Sequence, residues 1–265
     1  MQHIFLNPDA WMAFLTLVFL EVVLGIDNII FLSIMANKAP KSVQAKVRHA
    51  GLLLAMLGRI GLLFGVSLLI KLTRPLLTVA GGWVSFTVSG QSIIILLGGL
   101  FLLYKSVGEI HHKLEAKSGA PAVKTKAGSL AMIIVQIFLL DLVFSIDSVL
   151  TAIGMVSFAT FGYAGALAIM VTAIVVTVMI MLFFSAPVSR FVNSHPTVQM
   201  LALSFLILIG VTLLVEAGSL AHLTVMGSTV GEIPKGYIYF AILFSLGVET
   251  LNLRMKRKSK EPPIA

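Results

Sequence analysis

An apolar run from about Trp11 to Met35 is long enough to cross a bilayer, which needs about 20 such residues. Inside it lies Leu20-Glu21-Val22-Val23-Leu24-Gly25-Ile26-Asp27-Asn28-Ile29-Ile30, with two acids and an amide. A charge at mid-bilayer costs about 2.5–3.5 kcal/mol on insertion scales, so such residues need a reason. The stretch then returns as Leu140-Asp141-Leu142-Val143-Phe144-Ser145-Ile146-Asp147-Ser148-Val149-Leu150. Glu21 and Asp27 recur 120 positions later as Asp141 and Asp147. A costly feature made twice at one offset is a design element, not an accident of packing.

Seven apolar spans organise the chain: about 11–35, 47–70, 92–107, 129–155, 162–187, 198–216 and 237–253. Asn7 and Pro8 suit the cap and first turn of the first helix. Gly81 to Gly90 reads as a loop or a short interfacial piece. The polar stretch Gly108 to Lys126 reads as a flexible linker, with His111 and His112 a solvated pair. Apolar residues make up 58% of the chain and charged residues 11%, which rules out an ordinary soluble domain. Met1-Gln2-His3 lacks a basic leader segment, so the first span is expected to be retained. The net charge of +8 does not imply nucleic acid, because the basic residues sit in short loops and the tail.

Lys and Arg fix the expected orientation. With the N-terminus outside, fifteen basic residues face the cytoplasm and three face out. Spans one and four then cross in opposite senses. The expected architecture is an all-α polytopic membrane protein with seven transmembrane helices, a 3+3 inverted repeat plus one C-terminal helix. Residues 1–107 form the first repeat, 108–127 a cytoplasmic linker, 128–217 the second repeat, and 218–265 a loop, the seventh helix and a basic tail. Inverted repeats place their substrate near the midplane, often on broken helices.

The candidate site is the set Glu21, Asp27, Asn28, Asp141, Asp147 and Ser148. All offer oxygen, which suits the hard cations Mg²⁺, Ca²⁺ and Mn²⁺. There is no cysteine, and no histidine falls within the first or the fourth span. On an ideal helix Glu21 and Asp27 lie about 120° apart, so one helix cannot aim both at a single ion. Either the winding changes near Gly25 and Ser145, or the acids have separate roles. Four carboxylates crowded in low dielectric cannot all ionise without a cation, which makes metal–proton exchange a natural mechanism. Arg59, inside the second span, reads as an ion-pair partner of the acids. Glu249 reads as a proton relay or as a residue of the cytoplasmic interface. Glu216 reads as interfacial, near the outer face.

At these residues the chain resembles the TerC family, and most closely its plain seven-span branch. The resemblance covers nearly the whole chain. It rests on Glu21-x5-Asp27-Asn28, on Asp141-x5-Asp147-Ser148, and on Pro234-Lys235-Gly236-Tyr237-Ile238-Tyr239-Phe240 opening span seven. It implies a bacterial inner-membrane protein that exports Mn²⁺, with the six site residues as metal ligands. It implies no prosthetic group and no enzymatic activity. The expected partners are the lipid bilayer and the metal ion, with a homo-oligomer or a secretion-machinery contact as further options. Three rival readings are weighed: an intramembrane aspartyl protease using Asp27 and Asp147, a membrane scaffold that hands metal to exported proteins, and a tellurium-resistance component.

Overall fold

The computed structural model describes residues 7–115 and 127–258, without the side chains of residues 24, 26, 27, 66, 67, 127–129 and 256–258. The chain runs α1 (Pro8–Leu24), α2 (Ile26–Ala36), α3 (Gln44–Phe64), α4 (Val66–Leu72), β1 (Pro75–Ala80), β2 (Val84–Ser89) and α5 (Gly90–Glu115). It continues with α6 (Ala127–Met155), α7 (Phe158–Ser194), α8 (Pro196–Leu220), β3 (Thr224–Val225), β4 (Ser228–Thr229) and α9 (Lys235–Lys258). Among the described residues, six helices are long and apolar enough to cross a membrane, and the bent pair α1–α2 makes a seventh when counted as one span.

The local chemistry sets the boundaries. The Asn7 side chain accepts a hydrogen bond from the Asp9 amide at 2.9 Å, and Pro8 fills the first turn, as the sequence suggested. Ser157 caps α7 through the Thr160 amide. Pro196 opens α8 after an extended His195. The first span is not straight: α1 and α2 meet at Gly25 with a bend of 43°.

Helix pairing follows the duplication. The most extensive contact joins α5 to α8, the third spans of the two halves. The first span packs on α7 through α1, and α3 packs on α6. These last two contacts interchange when the halves are exchanged, while α5–α8 maps onto itself. At that seam a Cβ on Gly99 would come within 3.0 Å of the Gly210 carbonyl oxygen. A Cβ on Gly210 would come within 3.3 Å of the Gly99 oxygen. Only glycine lets two backbones approach this closely, as membrane helices commonly exploit.

Four expectations need correction. The stretch from Gly81 to Gly90 is not a plain loop. Its residues from Val84 onward form β2, which pairs antiparallel with β1 on one side and with the short β3 on the other. The helices therefore carry a four-stranded sheet of order β1-β2-β3-β4 at one end. The linker begins later than expected, because α5 continues to Glu115. His111 lies on that helix and pairs with Glu115 at 3.2 Å; residues 116–126 of the expected linker lie outside the described ones. The second span breaks at Gly65. The fifth span is longer than expected at its C-terminal end: past a non-helical kink at Gly162, with φ 65°, the helix runs on to Ser194 with Pro187 inside it. At about 1.5 Å per residue the stretch beyond the kink is roughly 48 Å long, well beyond the hydrocarbon core.

The opposite end is closed by polar side chains. Asn37 and Asn193 exchange hydrogen bonds, Lys38 pairs with Glu109, and Lys113 donates to Gln199. Gln199 also donates to Asn193 at 3.3 Å. The core between the two ends is apolar, with Leu32, Met35, Leu102, Met170 and Leu203 all buried.

Candidate functional site

The acids of the two stretches fall into two groups. The deeper group is built on Arg59 of α3, which is 4% exposed. Its Nη1 donates to Glu21 Oε2 at 2.5 Å. Its Nη2 and Nε donate to the two oxygens of Asp141 at 2.6 and 3.2 Å, the forked geometry peculiar to arginine. Asp141 accepts further from Asn28 Nδ2 at 3.3 Å and from Ser145 Oγ at 3.1 Å. Arg59 holds Glu21 of α1 and Asp141 of α6 together.

The second group lies nearer the sheet-bearing end. Asp147, about one and two-thirds turns beyond Asp141 on α6, pairs with Lys235, the first residue of α9. The two acids of the second stretch thus have separate partners. Helix α6 runs unbroken through Ser145, so Asp141 and Asp147 point to different sides, as helical spacing requires. In the first stretch the winding does change, at Gly25. Asp27 lies on α2 just beyond this break; its side chain lies outside the described ones.

One cavity connects the groups. It encloses about 310 Å³ and is lined by Glu21, Asn28, Arg59, Asp147, Ser148, Glu216, Glu232 and Lys235, with apolar walls from α5, α8 and α9. It runs from Arg59 toward the end where the sheet sits. Asp141 is absent from the lining and sits behind Arg59. Ser148 lines the cavity, with its hydroxyl donating to the Ser145 carbonyl at 3.3 Å. Four carboxylates face this space against one guanidinium and one ammonium, so its lining carries an excess of negative charge. Among the described residues, no three His, Cys, Asp or Glu side chains lie close enough together to hold a metal ion. Asp141 is committed to Arg59, and Asp147 to Lys235.

The two ion pairs differ in strength. The Arg59 cluster is buried, and removing one partner from such a pair costs about 3–5 kcal/mol. The Asp147–Lys235 pair is partly open, with side chains 31% and 48% exposed. Pairs of that kind contribute about 0–1 kcal/mol. A cation entering the cavity can compete for Asp147 far more readily than for Asp141.

Three cavity residues were not in the sequence-derived set. Glu216 lines the cavity from α8 rather than sitting at a lipid interface. Glu232 and Lys235 come from the segment leading into α9. Lys235 carried a signal of its own: a cation at a helix N-terminus opposes the helix dipole and calls for a compensating acid. Glu249 does not line the cavity. It accepts from Thr197 Oγ1, tying the far part of α9 to the start of α8.

Comparison with known proteins gives a consistent answer. The family model described as "Integral membrane protein TerC family" matches residues 6–262. The Escherichia coli K12 protein called UPF0053 inner membrane protein YgdQ is 44% identical over 253 residues, covering 96% of both chains. A UPF0053 protein of Haemophilus influenzae is 42% identical over 254 residues, covering 96% of this chain and 98% of the relative. The Escherichia coli K12 protein YoaE is 41% identical over 252 residues, which is 95% of this chain but 44% of that longer protein. No solved structure matches. With two acidic stretches on separate helices, an arginine between them and a match over nearly its full length, the chain belongs to the TerC family of integral membrane proteins.

Proposed function

We propose that this protein is a divalent-cation transporter of the bacterial inner membrane, with Mn²⁺ as its cargo. The observation that carries the reading is the cavity: it reaches from one end of the helices to Arg59, and four carboxylates line it against two basic groups. Oxygen donors in that number suit a hard cation. The same excess of negative charge opposes a path for tellurium oxyanions. The resemblance supplies the outward direction, and the relatives' inner-membrane names support the location. The Lys and Arg bias supports an orientation with the sheet-bearing end outside and the basic tail in the cytoplasm.

In this reading Asp147, Ser148 and Asn28 offer oxygen to the ion, with Asp27 from the first stretch and Glu21 at the floor. Asp141 serves by positioning Arg59. Proton coupling follows from the same crowding, since carboxylates vacated by a metal gain protons more readily than isolated ones. The protease reading fares worse, because an aspartyl dyad needs two acids sharing a proton and Asp147 is paired with an ammonium. The scaffold reading is separated by uptake of Mn²⁺ into vesicles holding the purified protein alone.

The decisive test is cellular manganese in cells making wild type, Asp27→Ala or Asp147→Ala at equal levels. Wild type is expected to lower manganese under Mn²⁺ stress and both variants to fail. Variants that lower it as well as wild type would remove the site from the reading.

A further inference from the structure

The contact between Lys235 and Asp147 is more exposed than the ion pairs of Arg59. It ties the N-terminus of α9 to α6, and α9 is the least embedded of the spans, with none of its most apolar window buried. Its principal helical neighbour is α8. The ammonium stands at the positive end of the α9 dipole, a position that repels it. Water reaches both side chains. A second tie, Thr197 to Glu249, holds α9 near its other end, so the helix keeps an anchor when the first tie opens.

We propose that Lys235 is a tethered counter-cation of the cavity. Its ammonium holds Asp147, with Glu216 and Glu232 on the same lining, until a divalent cation displaces it and frees the N-terminus of α9. The proposal rests on the cation-transport reading and adds to it a competitor carried by the chain itself. One charge on a flexible stem gives way to two charges on one centre. With the ammonium gone, Asp147 is open to the ion, with Glu216 and Glu232 on the same lining. The Arg59 cluster cannot play this part, because its cation is buried and held by three hydrogen bonds.

The test uses the purified full chain in detergent micelles, with Mn²⁺ binding followed by loss of the free aquo-ion signal in electron paramagnetic resonance. Lys235→Gln is expected to bind Mn²⁺ about fivefold tighter than wild type, the factor that a partly exposed pair takes away by holding a ligand closed. Lys235→Arg, which keeps the charge, is expected to stay near wild type. In the unaltered protein, acetylation of Lys235 by acetic anhydride, read by mass spectrometry, is expected to rise when Mn²⁺ is added. Equal or weaker binding by Lys235→Gln, or unchanged acetylation while Mn²⁺ binds, overturns the counter-cation proposal and leaves the transport reading standing. Absence of Mn²⁺ binding in wild type and both variants overturns both.

Discussion

Replacing Arg59 with methionine removes the cation that pairs with both Glu21 and Asp141, while keeping most of its volume. Three hydrogen bonds disappear, at 2.5, 2.6 and 3.2 Å, and two carboxylates whose side chains are 6% and 10% exposed lose their counter-charge. Breaking a buried pair from one side costs about 3–5 kcal/mol, most of it the penalty of leaving charge unpaired. Two controls separate that penalty from lost packing. The double variant Arg59→Met with Asp141→Asn lacks one of the stranded charges and is expected to recover about 0.5–3 kcal/mol, the usual range for residues in one network. Lys235→Met removes a cation from the partly exposed pair and is expected to cost at most about 1 kcal/mol. The assay is reversible unfolding in mixed micelles by titration with sodium dodecyl sulfate, followed by far-ultraviolet circular dichroism. If Arg59→Met costs less than about 1 kcal/mol, or no more than Lys235→Met, the assignment of Arg59 as the structural counter-charge is refuted.

Other outcomes follow from the same geometry. Gly25→Ala places a Cβ at 1.8 Å from Met181 Cε and 2.9 Å from the Glu21 carbonyl; overpacking at this junction is expected to cost about 1–3 kcal/mol in the same titration, with Met181→Ala restoring part of it. Gly99→Leu is expected to force α5 and α8 apart and to lower the yield of folded protein in size-exclusion chromatography, whereas Gly108→Leu, with nothing within 4 Å, is expected to be tolerated. Glu249→Gln is expected to leave Mn²⁺ uptake into vesicles near wild type, since Glu249 bonds Thr197 and lies off the cavity; loss of uptake would return it to the proton path.

Much of this architecture was legible before any coordinates. Apolar length located the spans, because lipid demands about 20 residues per crossing whatever the tertiary contacts. Helical spacing separated Asp141 from Asp147 in direction, and the cost of a buried acid singled out both stretches. What stayed hidden depended on distant pairing. β2 alternates as Val84-Ser85-Phe86-Thr87-Val88-Ser89, a strand-like pattern, but its second partner, Thr224–Val225, lies far along the chain. The flanking glycines made the region read as a loop. The helix from Gly108 to Glu115 was masked by its polarity, since a helix leaving the bilayer no longer needs an apolar surface. Glu216 and Glu232 became cavity residues only once α8 and α9 were packed side by side, which no local pattern encodes. Likewise, that Arg59 would take both oxygens of Asp141 required knowing that α3 lies on α6.

The seam of Gly99 and Gly210 has a mechanical consequence. With each backbone close against the other's carbonyl, these two rods share a point where no side chain stands between them. Rods fastened at such a point can part at one rim only by closing at the other, as blades do about the pin of a pair of scissors.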